Sequence, residues 1–217
     1  MDSDRNLIPE DRKNPQWADF LSWFNEYYTK GEHGVIYSDL RSPDILIKVV
    51  NVDITDGWSN ADQADFFEDN WKRNVEGLVD VYSFARSPVV SAITNKLKGC
   101  VLTTSADYQS VMNVFELENG DELAMWAMEK ADYVGLTHPN MSDEEMVDAV
   151  AEAAYNIQIQ TGYGIMDLKE QNYGFRTDGS AFIFDFNYQD DEFTLEEYRQ
   201  KVHNGVTRRF INPTRQG

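Results

Sequence analysis

Two short apolar runs, Tyr173 to Phe175 and Ala181 to Phe186, flank Thr177-Asp178-Gly179, and this arrangement constrains the chain more than any other stretch. Asp-Gly between aromatic runs is a strong hairpin signal, because the tight turn needs a positive φ that Gly adopts freely. A hairpin here folds Asp185 back beside Asn172, and both beside the loop that carries Asp167 and Lys169. Oxygen atoms of an Asp and an Asn suit magnesium, which binds proteins through few side chains plus substrate phosphates. A second Asp nearby can orient a hydroxyl and accept its proton. A Lys can neutralise charge on a transferring phosphoryl group, a reaction governed by positioning and electrostatics.

The run Asp167-Leu168-Lys169-Glu170-Gln171-Asn172, followed by Phe184-Asp185-Phe186-Asn187, resembles the catalytic loop and metal-binding motif of the protein-kinase fold. The resemblance implies Asp167 and Lys169 as catalytic residues, Asn172 and Asp185 as metal ligands, and ATP and Mg2+ as cofactors. It also implies an α+β, two-lobed architecture, with an antiparallel sheet in the N-lobe and a shortened, mainly helical C-lobe. The expected divisions are an N-terminal extension over 1–29, an N-lobe over 30–130 and a truncated C-lobe over 131–217.

Bulk properties agree with such a chain. Its 217 residues suit one domain or two small lobes. No apolar run reaches transmembrane length, and the first residues lack the apolar region of a secretory signal. Cys100 is the single cysteine, so no intramolecular disulfide forms and a reducing, cytoplasmic setting is expected. The formal net charge of −19 argues against direct nucleic-acid binding, which needs a basic footprint. It permits association with basic surfaces.

Along the chain, residues 1–14 read as loose. Asn14 and Pro15 open an expected helix whose face carries Trp17, Phe20, Leu21, Phe24 and Tyr28. Gly31 and Gly34 then precede two strands, Val35 to Tyr37 and Ile45 to Val50. Within the second, Lys48 is a charge in an apolar strand and needs a partner. Helices are expected near 61–72, 74–86 and 88–98, the second on the spacing of Val75, Leu78, Val79 and Tyr82. Asn119-Gly120 marks a second hairpin, between Val111 to Glu118 and Glu122 to Met128. Ser142 and Glu145 form a capping box for the longest helix, about 142–160, with Met146, Ala149, Val150, Ala153, Ala154 and Ile157 as its buried stripe. Gly162 follows its end, and Thr194 with Glu197 caps a last helix before the basic tail Arg208-Arg209 to Arg215.

The kinase resemblance, extended over residues 30–190, implies further ATP contacts. Lys48 corresponds to the strand lysine that reaches the nucleotide phosphates, with Gly31 and Gly34 in a phosphate-facing turn. Met128, Glu129 and Lys130 correspond to the hinge whose exposed backbone takes the adenine edge, where Met125 and Trp126 either line a pocket or belong to the core. Glu68 stands at the interval of the acidic partner of Lys48, with Glu76 as second candidate. Tyr37-Ser38 through Ile47-Lys48-Val49, Asn113-Val114-Phe115 and a catalytic loop without His-Arg before Asp167 resemble the small early serine/threonine kinases of short-tailed bacteriophages. That implies host bacterial proteins as substrates, in the host cytoplasm, with transcription shut-off or defence evasion as the purpose.

The pattern departs from ordinary kinases at three points. Ile165-Met166 stand where His-Arg is usual, Asn187 stands where Gly follows Asp-Phe, and residues 188–217 hold no ordinary activation segment. A shortened C-lobe exposes apolar surface that the first helix, the last helix or a second copy must cover. Two other functions fit the same sequence: a small-molecule kinase of this fold, and a catalytically silent acidic protein that inhibits a host regulator.

Overall fold

A computed structural model describes residues 20, 22–30, 34–52, 60–87, 95, 99–100 and 122–211. The loose N-terminus, Gly31, the 88–98 helix, the 111–118 strand and the Asn119-Gly120 turn lie outside them, as do the side chains of Arg208, Arg209 and Arg215. The chain is α+β and divides into two units, Met1–Lys72 with Asp80–Lys130, and Arg73–Val79 with Ala131–Gly217. Among the described residues, no helix is long and apolar enough to cross a membrane.

The first unit is built on a sheet of β1 (Phe24–Lys30), β2 (Gly34–Asp39), β3 (Ser42–Asn51), β4 (Val81–Ser87) and β5 (Leu123–Glu129). Their order is β1-β2-β3-β5-β4, and every neighbouring pair is antiparallel. Successive side chains of a strand point to opposite faces. One face therefore gathers Tyr37, Ile47, Val49, Met125 and Ala127 into a core with Phe20 and Phe24. On the other, Trp126 lies 5.0 Å from Phe67 of helix α1 (Asn60–Asn70) and 6.3 Å from Phe84, measured between ring centroids.

Two expected helices are corrected here. The face drawn through Phe20, Phe24 and Tyr28 does not continue as a helix: residues 22 and 23 are helical, but Phe24 opens β1. Tyr27, Tyr28 and Thr29 favour strand, and pairing with β2 buries Phe24 edge-on against Tyr37, 5.1 Å between centroids. The 74–86 helix is absent as well. Val75, Leu78 and Val79 are buried, but Gly77 takes φ 85° in irregular chain and β4 begins at Val81. A side chain on Gly77 would collide with the backbone of Ala153, so this glycine serves a close approach that helical spacing does not reveal.

The second unit centres on helix α2 (Asp143–Thr161). Its capping box forms as the sequence predicts: Ser142 Oγ accepts from the Glu145 amide at 3.3 Å, and the Glu145 carboxylate accepts from the Ser142 amide at 2.8 Å. Gly162 closes the helix in the left-handed conformation, φ 84°, its N–H donating to Gln158 O at 2.7 Å. Met146, Val150, Ala153, Ala154 and Ile157 are buried, while Ala149 is only partly so. Each large apolar side chain buried this way stabilises the unit by about 1.5–3 kcal/mol.

Around α2 lie a sheet ordered β6 (Tyr133–Val134), β8 (Tyr173–Phe175), β9 (Ala181–Ile183), and a ladder of β7 (Gly164–Met166) with β10 (Asn187–Gln189). Helix α3 (Leu195–Ile211) begins at the predicted cap, where Thr194 Oγ1 accepts from the Glu197 amide at 3.3 Å.

Candidate functional site

The chain leaves β7 at Met166 and turns sharply. Asp167 is the single non-glycine residue among those described with positive φ, at 61°. Asp tolerates this left-handed region better than most residues, yet a residue held there needs support from its surroundings. The support is close at hand. Leu168 is buried, Lys169 N–H donates to Asp167 O at 2.8 Å, and Asn172 N–H donates to Lys169 O at 2.9 Å across a single 3-10 turn. The Asn172 side-chain amide then reaches back, donating to Asp167 O at 2.8 Å and to Asp167 Oδ2 at 3.1 Å.

The hairpin does what its turn residues predict. Tyr173 pairs with Ile183 and Phe175 with Ala181, and Gly179 occupies the positive-φ position at 87°. At the end of the returning strand, the N–H groups of Phe184 and Asp185 both donate to Asn172 O, at 3.0 and 3.2 Å. Asp167, Asn172 and Asp185 are thus linked through successive hydrogen bonds. Lys169 joins them through its Nζ, 2.7 Å from Asp167 Oδ1. With Lys169 about half exposed, this ion pair contributes at most about 1 kcal/mol to stability, so stability alone gives it little purpose.

Asn172 and Asp185 carry oxygen donors of the kind magnesium takes. The Asn172 amide nitrogen is engaged with Asp167, which leaves the amide oxygen for a cation, and Asp185 hangs from the backbone of the same residue. Among the described residues no three His, Cys, Asp or Glu side chains converge as a metal cage. Two protein oxygens completed by phosphates and water are the mode magnesium favours.

The other expected positions belong to the first unit. Lys48 is buried on β3, a central strand, which excludes an exposed edge position. Its Nζ donates to Gln63 Oε1 at 2.8 Å and lies 5.5 Å from the Trp126 ring centroid. Glu68, the expected partner, is turned away. It is half exposed and pairs with Arg86, its Oε2 2.8 Å from Nε, beside Asp65 and Glu122 on the same guanidinium. Helix phase explains the difference: Gln63, Ala64 and Phe67 lie on the buried side of α1, whereas Asp65 and Glu68 face outward. Glu76, the second candidate, falls in the other unit, its N–H donating to Gln160 Oε1 at 3.2 Å.

Gly34 opens β2, where an added Cβ would meet Val50 Cγ1 at 2.9 Å and Lys48 Cε at 3.3 Å. Close packing onto β3 therefore accounts for this glycine without a ligand. Met125 and Trp126 are fully buried and Met128 nearly so, which makes them core. The backbone N–H groups of Glu129 and Lys130 are engaged, donating to Asp80 O and Asp44 O, each at 2.9 Å.

Residue type alone does not point to Gln63, since a neutral amide carries no charge to match a lysine; the apolar stripe of α1 is the signal that finds it. No protein-family model matches the chain, and no curated protein matches it.

Proposed function

We propose that this chain is an ATP- and magnesium-dependent phosphotransferase that modifies serine or threonine hydroxyls of host bacterial proteins in the host cytoplasm. The observation that carries the reading is the linkage of Asp167, Lys169, Asn172 and Asp185 on one loop and hairpin. In this reading Asp167 orients the acceptor hydroxyl and accepts its proton as the oxygen attacks the γ-phosphorus. The bond to the bridging oxygen breaks, its electron pair leaves with ADP, and Lys169 offsets the charge that develops on the transferred group. Asn172 and Asp185 hold magnesium, which when bound neutralises the phosphate oxygens. The same reading assigns the α- and β-phosphates to Lys48. The acceptor class and the host setting rest on the resemblance to the phage kinases.

A second reading, a small-molecule phosphotransferase, is favoured by one observation: only residues 190–194 connect β10 to α3, which leaves no long peptide-binding segment at that point. One experiment separates the readings. The protein is incubated with magnesium, ATP labelled at the γ-phosphate and a bacterial lysate. Labelled protein bands support the first reading and a labelled small molecule the second. Absence of any labelled product, with the protein folded, removes both and leaves a silent binding protein.

A further inference from the structure

Helix α3 carries a glycine well inside its length, where glycine weakens a helix and calls for a reason. At Gly205 the reason is the loop described above. A Cβ built there would fall far inside contact distance of the Leu168 carbonyl oxygen, and would sit 3.6 Å from Lys169 Cα. The helix backbone thus lies directly against the loop between Asp167 and Lys169. The contact belongs to a continuous face, because Tyr198, Lys201, Val202 and Gly205 recur at helical spacing. Tyr198 is fully buried, and its hydroxyl accepts from Ile165 N–H at 2.9 Å while donating to Gln158 Oε1 at 2.8 Å. Lys201 Nζ lies 3.4 Å from Met166 Sδ and 3.9 Å over the Phe193 ring, and Val202 is fully buried. Ile165, Met166, Leu168 and Lys169 are therefore each met by a residue of this one helix face, on both sides of Asp167.

We propose that Gly205 is a positioning residue for the Asp167–Lys169 loop: having no side chain, it lets α3 press against the loop backbone and hold Asp167 in its left-handed conformation. The proposal rests on the phosphotransferase reading for its effect on rate, but not for its effect on the loop. Adding one methyl group displaces the Leu168 carbonyl and with it the neighbouring Asp167 carboxylate. Nucleotide affinity, assigned to other residues, stays as it was.

The test compares Gly205→Ala with Asn204→Ala, a change on the exposed side of the same turn. Gly205→Ala is expected to lower kcat at least tenfold with KM for ATP within twofold, and to speed hydrogen exchange at the Lys169 and Asn172 amides. Asn204→Ala is expected to change neither. Tyr198→Phe repeats the test with the helix face intact, and is expected to speed exchange at Ile165 and to lower kcat in the same sense. Folded Gly205→Ala protein with wild-type kcat and wild-type exchange overturns the proposal, as does a loss that appears equally in Asn204→Ala. Absence of phosphoryl transfer by the unaltered chain removes the phosphotransferase reading instead, and exchange at the loop amides then decides the positioning role by itself.

Discussion

The side chain of Asn172 holds Asp167 at two points, donating to its backbone carbonyl at 2.8 Å and to its carboxylate at 3.1 Å. The first bond braces a backbone at φ 61°, and the second fixes the direction of the acid. One asparagine thus supports the strained residue and aims it. Strain of this kind, of order 1–3 kcal/mol, persists only where the surroundings over-determine it, which is the pattern of a site that needs one geometry.

The backbone argument separates two variants of the same residue. Asp167→Ala and Asp167→Gly are both expected to abolish phosphoryl transfer while leaving ATP affinity within a few-fold, because the acid is assigned to the acceptor hydroxyl and not to the nucleotide. Their stabilities should differ: Gly tolerates the left-handed region and Ala does not, so the Gly variant should be more stable by about 1 kcal/mol. Chemical denaturation gives the stability difference, and calorimetric titration with a non-hydrolysable nucleotide gives the affinity. Parallel loss of affinity and turnover would show that Asp167 has been given the wrong role.

Asp185 should respond differently. Asp185→Asn keeps the shape and the backbone bond to Asn172 O but removes the anionic oxygen that magnesium requires. Metal-dependent nucleotide turnover is expected to disappear, with the circular dichroism spectrum unchanged and the melting temperature shifted little. Retained turnover in a folded variant would sink the kinase assignment.

Sequence and structure agree most closely where local chemistry dictates conformation. The Ser142–Glu145 box, the Gly162 terminus and the Asp178-Gly179 turn are all set by residues a few positions apart, and all three form as read. The hairpin then carries Asp185 to Asn172, so that juxtaposition was legible too. Readings failed where tertiary contacts decided the outcome. Val75, Leu78 and Val79 have helical spacing, but Gly77 lies against the backbone of Ala153 and this irregular chain bonds Ile183 through Val79 N–H and Gly77 O. The interval implied by the kinase resemblance points to Glu68 as the partner of Lys48, whereas the phase of α1 presents Gln63. Gly205 could not be read at all, because the need for a bare Cα arises from a loop distant in sequence.

The two capping boxes predict the acid side of the stability profile. The Ser142 backbone and hydroxyl bonds lower the Glu145 pKa, and those of Thr194 lower that of Glu197. A carboxylate with a depressed folded-state pKa stabilises the fold above its unfolded value, and that contribution fades as pH falls through the folded-state value. The loss should therefore appear below the ordinary glutamate value of 4.5. Replacing both residues by Gln keeps a side chain that completes the box but does not titrate. The double variant should be less stable than the unaltered protein near neutrality, converge with it in acid, and so show a flatter melting profile below pH 4.5. An unchanged acid limb would assign the titration to other carboxylates.

Regulation follows from the residue before Asp167. An arginine at that position can read a phosphate on an activation segment through a charge-assisted pair. This chain has Met166 there, with Lys201 of α3 3.4 Å from its sulfur. Beyond Asp185 the chain returns at once to pair Asn187 with Met166 in β10, and α3 begins at Leu195. Neither a phosphate reader nor a long segment to be read stands at this point, so the enzyme is expected to be active as synthesised. Phosphate added to Ser or Thr would act only through charge, raising repulsion in a chain already at −19 and most strongly near Asp190, Asp191 and Glu192. Activity of phosphatase-treated protein is to be compared with that of untreated protein, with intact mass giving the phosphate count. Equal or higher activity after treatment is expected. A dephosphorylated form that is inactive, and recovers only when another kinase acts on it, would mean that Met166 and the short β10–α3 connection have been misread.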